Sequence, residues 1–141
     1  MSNFTATKSI HIKTTPARVW QALTDPEIVK QYMFGSQVVS GWKVGDSLVY
    51  KGVWEGKPFE DKGTILAIEP EKLLKATYYS ALSGLEDKPE NYHTVTYELA
   101  DQGGGTKLTV SQDGFASQEQ SDQTATNWET VLGTIKQLLE K

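Results

Sequence analysis

An apolar stripe near the C-terminus limits the folds that this chain can adopt. From Ser117 onward, large apolar residues recur at the spacing of one helix face. They are Trp128, Val131, Leu132, Ile135, Leu138 and Leu139. The pattern predicts one amphipathic helix over residues 118–140, with a length of about 34 Å at 1.5 Å per residue. A helix this long must bury its stripe, so the rest of the chain has to supply a large apolar surface.

Two start signals for short helices follow the first predicted strand, which covers residues 4–14 and alternates isoleucines with polar residues. Thr15-Pro16 and Asp25-Pro26 each place a capping side chain directly before a proline. This order is typical of helix N-termini, because proline lacks an N–H that the first turn would leave unpaired. We therefore predict two short helices after strand 1.

The middle of the chain alternates strand-like runs with turn residues. Further strands are predicted over 47–55, 59–68, 73–79, 92–100 and 106–112, whereas Val38-Val39 leads into a turn-rich stretch. Helices and strands are segregated along the chain, which favours an α+β fold with an antiparallel sheet. We predict a curved antiparallel sheet of about six strands wrapped round the long C-terminal helix.

Composition excludes several classes of function. The 141 residues contain no cysteine, which removes disulfides, thiol nucleophiles and zinc–thiolate sites. The net charge of −4 is uneven, since residues 1–70 carry 8 basic and 7 acidic side chains and residues 71–141 carry 6 and 11. Basic residues do not cluster, so we expect no nucleic-acid partner. No apolar run is long enough for a membrane span or a signal peptide, so we expect a cytoplasmic protein.

Five short runs, taken in order, carry a resemblance to a known family. They are residues 15–26 (TPARVWQALTDP), 42–46 (WKVGD), 63–70 (GTILAIEP), 95–99 (VTYEL) and 105–110 (GTKLTV). Together with the terminal helix they resemble the START-like, or SRPBCC, helix-grip superfamily. The short motifs themselves are similar to those of one branch of this superfamily, the homologues of the activator of the heat-shock chaperone ATPase. The resemblance covers nearly the whole chain and implies a single START-like domain over residues 1–141.

The terminal helix also predicts a cavity, because its first half offers small side chains at Ser121, Thr124 and Ala125. The helix-grip architecture places this half against the concave face of the sheet. Strand alternation and the helix face then select the candidate lining: Phe34, Tyr50, Trp54, Tyr78, His93, Tyr97, Thr124 and Trp128. Aromatic residues with polar groups suit a mostly apolar ligand site. The alternative is that these side chains fill the space as ordinary core.

The sequence does not assign a catalytic residue, a cofactor or a metal. His93 is the only histidine on an inward face, and it begins a strand beside a polar loop. The carboxylates Glu55, Glu60 and Asp61 flank a predicted hairpin turn, where carboxylates are usually solvated. Gly103 to Gly105 joins two strands and lacks the Lys-Ser/Thr that follows a phosphate-binding loop.

Three functions are compatible with these observations. The first is a binding domain that holds a small hydrophobic or aromatic molecule in the cavity. The second, implied by the resemblance, is a chaperone-linked interaction module of the stress response, whose partner contacts its acidic surface. The third is a cyclase- or hydrolase-like enzyme that uses the same cavity, with His93 or a tyrosine as acid–base group. The residues favour a non-enzymatic role over an enzymatic one without deciding between them.

Overall fold

Helices and strands follow one another in the predicted order. The structure, a computed structural model, describes residues 4–33, 35–80 and 86–140. The elements are β1 (Phe4–Ile12), α1 (Pro16–Thr24), α2 (Pro26–Tyr32), β2 (Gln37–Ser40), β3 (Ser47–Trp54), β4 (Lys57–Glu69), β5 (Leu73–Tyr78), a short 3-10 helix (Pro89–Asn91), β6 (His93–Asp101), β7 (Thr106–Phe115) and α3 (Gln118–Leu139). The α+β helix-grip fold is confirmed.

Within the described residues the strands form one antiparallel sheet of seven, in the order β1-β7-β6-β5-β4-β3-β2. This is one strand more than the alternation pattern predicts. The additional strand is β2, four residues at the sheet edge, where Val38 pairs with Tyr50 of β3. Only Val38 of this strand is buried. So short a run shows too little alternation to be recognised in the sequence.

Both predicted helix starts are confirmed. The Thr15 hydroxyl accepts a hydrogen bond from the backbone N–H of Arg18 at 3.3 Å, and the Asp25 carboxylate accepts one from the N–H of Glu27 at 2.9 Å. Such caps satisfy N–H groups that a first helical turn leaves without partners. Near the end of α2, the buried Tyr32 hydroxyl donates to the Ala22 carbonyl at 2.8 Å and ties the two helices together.

The stripe of α3 packs against the sheet as its spacing predicts. Leu132, Ile135 and Leu139 are buried in one core cluster with Ile12 and Leu108 from β1 and β7. At the same end, Lys136 and Glu140 hold α3 to the end of β1. The Lys136 ammonium donates to the His11 carbonyl at 2.8 Å and to Glu140, while Glu140 also accepts from the N–H of Lys13 at 2.8 Å.

No helix in the described part of the chain combines the length and the apolar character that a membrane span requires.

Candidate functional site

A cavity of about 790 Å³ lies between the inner face of the sheet and residues 124–131 of α3. This volume is in the range of sites that enclose small organic molecules. Strands β3, β5 and β6 supply apolar walls through Leu48, Leu74, Ala76 and Val95. On the α3 side the lining consists of Thr124, Asn127, Trp128, Thr130 and Val131.

The structure brings most of the sequence-predicted lining residues together at this cavity. The ones that line it are Tyr50, Tyr78, His93, Tyr97, Thr124 and Trp128. Phe34 lies outside the described residues, and so does the side chain of Trp54. Of the other small residues predicted to face the cavity, Ser121 is buried but is not part of the lining, and neither is Ala125.

Sheet register explains why these side chains share one face. Tyr50 of β3 lies directly opposite Asp61 of β4, and Tyr97 of β6 lies opposite Leu74 of β5. Residues directly opposite in an antiparallel pair project to the same face, so alternation along each strand carries the set inward.

Trp128 forms a fixed wall where α3 meets the sheet. Its indole N–H donates to the side-chain oxygen of Gln112 on β7 at 3.0 Å. Its ring meets the ring of Tyr97 edge to face, with centroids 5.8 Å apart and an interplanar angle of 87°. Both contacts orient the indole, and the hydrogen bond satisfies its only donor.

Two tyrosine hydroxyls at the cavity have no hydrogen-bond partner among the described residues. They belong to Tyr50 and Tyr97, and the Tyr97 side chain is 6% exposed. Burial raises the pKa of both phenols above 10, and for Tyr97 the nearby phenol of Tyr50 adds to the effect. Both groups therefore remain neutral donors at any physiological pH. An occupant of the cavity can complete their hydrogen bonding.

The expectation that the carboxylates beside the hairpin turn are all solvated is wrong for Asp61, which lines the cavity. The turn is Glu55-Gly56, both with positive φ, and Asp61 lies opposite Tyr50 at the fifth pair from it. The carboxylate accepts a hydrogen bond from the Tyr78 hydroxyl at 2.9 Å and lines the cavity. Its neighbour Glu60 is exposed, as expected.

A sequence signal for Asp61 does exist. It has the same parity on β4 as Phe59, which lines the cavity, and as Ile65, which is buried. Alternation measured from these two apolar residues places Asp61 on the inner face, whereas nearness to the turn suggests solvent.

His93 is held at the cavity by two contacts. Its Nδ1 lies 2.5 Å from the Asp113 carbonyl oxygen, and its ring centroid lies 4.8 Å from that of Phe115. A carbonyl oxygen can only accept, so we assign the proton to Nδ1. In the neutral ring, Nε2 then carries the lone pair.

A polar cluster lies at the edge of the cavity, where the segment before β6 meets β4. Lys62, a lining residue, forms an ion pair with Asp87, which also accepts from the Tyr92 hydroxyl at 2.5 Å. Tyr92 stacks on Tyr79 with ring centroids 5.3 Å apart. The Asp87 carboxylate raises the pKa of Lys62, so this ammonium stays charged.

Across residues 4–33, 35–80 and 86–140, no three histidine or carboxylate side chains converge in a way that could hold a metal ion.

The chain is similar to proteins of one family over most of its length. Residues 13–140 match the family described as "Activator of Hsp90 ATPase homolog 1-like protein". A protein of Cytophaga hutchinsonii, solved in solution, is 41% identical with a TM-score of 0.86, and the match covers 97% of this chain and 94% of that chain.

More distant solved structures share the fold. The Aha1 dimer of Colwellia psychrerythraea is 18% identical with a TM-score of 0.76, covering 97% of this chain and 96% of that one. DynU16, from the dynemicin biosynthetic locus, is 20% identical with a TM-score of 0.78, covering 97% and 47%. At these identities the likeness concerns the fold alone. No curated protein matches the sequence.

Proposed function

The chain belongs to the family of activator of Hsp90 ATPase homolog 1-like proteins, and we propose that it binds a small, largely apolar or aromatic molecule. The binding site is the cavity between the sheet and residues 124–131 of α3. Family membership agrees with the motif resemblance in the sequence. The fold by itself does not decide the activity, so the proposal depends on the cavity.

The observation that carries the proposal is the composition of the cavity wall. Leu48, Leu74 and Val95 supply apolar surface, and burying it against a ligand contributes about 25 cal/mol per Å². Tyr50 and Tyr97 add two hydroxyls that have no partner among the described residues. A wall that is mostly apolar, with a few convergent polar groups, is the general pattern of small-molecule sites.

Native mass spectrometry of the protein purified from its own cells tests the proposal. We expect a bound small molecule that denaturing extraction releases, and we expect the neutral fluorescent probe N-pentyl dansylamide to bind the emptied protein. A protein that carries no molecule and does not bind the probe would overturn the proposal.

A pair of tyrosine variants locates the site. Tyr97→Phe removes a cavity hydroxyl, so the affinity for the extracted ligand should fall about three- to tenfold while stability stays unchanged. Tyr32→Phe is the matched control, because its hydroxyl bonds to the Ala22 carbonyl and Tyr32 does not line the cavity. It should lower the free energy of unfolding by about 1 kcal/mol and leave ligand affinity unchanged.

A second candidate function is a chaperone-linked interaction module. It is favoured by the description of the family and by the acidic C-terminal half of the chain. Glu119, Asp122 and Glu129 are exposed on α3 and offer a surface to a basic partner. Replacing all three by lysine should abolish capture of a chaperone from lysate, whereas Tyr97→Phe should leave capture intact. Absence of chaperone enrichment with the unmodified protein would exclude this candidate.

A further inference from the structure

Two charged side chains of β4, Asp61 and Lys62, line the cavity and have different surroundings. Asp61 belongs to the inward-facing set of β4, opposite Tyr50, and its carboxylate lies against the Tyr78 hydroxyl. Lys62, the next residue, also lines the cavity, and its ammonium is paired with Asp87 at the cavity edge. Among the described residues that line the cavity, Asp61 is the one carboxylate.

Aromatic rings surround the same space. Tyr50, Tyr78, Tyr97 and Trp128 all line the cavity, and Trp128 meets Tyr97 edge to face. The face of an aromatic ring carries negative electrostatic potential, which attracts cations and disfavours anions. Where these rings present their faces to a ligand, they and the Asp61 carboxylate both favour a cation over an anion.

The hydroxyl oxygens provide acceptors beside the carboxylate. Burial and the Asp61 carboxylate raise the pKa of Tyr78, so this phenol stays protonated and donates to Asp61. Tyr50 and Tyr97 have oxygens with no partner among the described residues. An alkylammonium group carries three N–H donors and no acceptor, which suits a cluster of phenol oxygens and a carboxylate.

We propose that the cavity selects a cationic amphiphile, an aromatic or alkyl body that carries a protonated primary amine. Its ammonium group lies against Asp61 and the tyrosine rings, and its apolar body lies along Leu74, Val95 and Trp128. This inference rests on the proposed function, since it names the class of ligand for the same cavity. A carboxylate ligand of equal size is disfavoured, because it would bring a second negative charge to Asp61.

Three matched dansyl probes test this selectivity by fluorescence titration. Dansylcadaverine ends its five-carbon chain in an ammonium group, N-pentyl dansylamide ends in a methyl group, and N-dansyl-6-aminohexanoate ends in a carboxylate. We expect the ammonium probe to bind about tenfold more tightly than the neutral probe, and the carboxylate probe to bind most weakly.

Asp61→Asn tests the assigned residue. It removes the charge and keeps an oxygen that can accept from Tyr78, and it should reduce the affinity for dansylcadaverine about tenfold with little effect on N-pentyl dansylamide. Glu60→Gln is the matched control, because this exposed neighbour makes the same change of charge on the other face of β4. It should leave the ranking of the three probes unchanged.

The outcomes separate the two proposals. If the neutral probe binds and the ammonium probe binds no better, the cationic selectivity is wrong and the binding function stands. If no probe binds, the cationic selectivity is wrong, and if the purified protein also carries no molecule, the binding function is wrong as well. If Asp61→Asn does not fold, the ranking of the three probes with the unmodified protein still tests the cationic selectivity. Equal affinity for the ammonium and carboxylate probes overturns the inference.

Discussion

The two halves of α3 contact the sheet in different ways. We call residues 118–130 the cavity half and residues 131–139 the packed half. The packed half inserts Leu132, Ile135 and Leu139 into the core. The cavity half buries only Ser121 among its described residues, and it presents Thr124 and other polar side chains to the cavity.

This difference assigns separate tasks to one continuous helix. The packed half supplies apolar burial, which is the dominant favourable term in folding. The cavity half leaves space, so it contributes less to stability and more to whatever occupies the cavity. Substitutions along the same helix should therefore affect folding at one end and binding at the other.

The largest expected effect comes from truncating the packed half. Leu132 is 1% exposed, so Leu132→Ala should lower the free energy of unfolding by about 2–5 kcal/mol through lost burial and the space left behind. Thr124→Ala is the matched change in the cavity half, and it should alter the free energy of unfolding by no more than about 0.5 kcal/mol. Urea denaturation measures both, and equal losses would contradict the division of α3.

A smaller effect of opposite sign is expected at the boundary between the halves. Gly133 lies inside the helix, and a Cβ built there meets no atom within 4 Å. Gly133→Ala should therefore raise the free energy of unfolding by about 1 kcal/mol, because alanine loses less backbone entropy in a helix. Thermal unfolding gives the value, and destabilisation would mean that the helix approaches a neighbour more closely there.

The smallest effect concerns the attachment of the packed half to β1 and depends on pH. The Lys136 ammonium and the Lys13 N–H hold the pKa of Glu140 below its ordinary value of 4.5. A carboxyl group with a lowered pKa stabilises the fold above its unfolded pKa, and this contribution is lost as the pH falls through the folded value.

Glu140→Gln isolates this contribution. The urea midpoint of the variant should be below that of the unmodified protein at pH 7, and the difference should close as the pH falls below 4.5. The exposed Glu129, paired with Lys8, offers a control on the same helix, since Glu129→Gln lacks the backbone contact. A difference that persists at low pH would show that Glu140 acts through packing rather than charge.

The fold was largely predictable because its signals are local and repeated. The stripe from Trp128 to Leu139 and the caps Thr15 and Asp25 each follow from spacing or from one side chain, and the structure confirms them. The edge strand β2 was missed, because a strand of four residues with one buried side chain is held by pairing with β3 rather than by its own pattern.

The site was predictable only in part, because a cavity depends on several strands at once. Alternation selects inward aromatics such as Tyr50 and Tyr97 strand by strand. The position of Asp61 depends on the register between β3 and β4, which a single strand does not reveal. The hydrogen bond between Trp128 and Gln112 likewise joins residues on different elements, and no short-range sequence pattern predicts it.

Mapping a bound probe by NMR tests whether a ligand occupies the cavity between the sheet and α3. N-pentyl dansylamide is added to the ¹⁵N-labelled protein, and backbone amide shifts are followed along α3 and the sheet. We expect the amide signals around Tyr50, Tyr78 and Tyr97 and along residues 124–131 of α3 to change position, and those of residues 135–139 to stay unchanged. Shifts confined to the outer face of the sheet, or an unchanged spectrum at a saturating probe concentration, would contradict it.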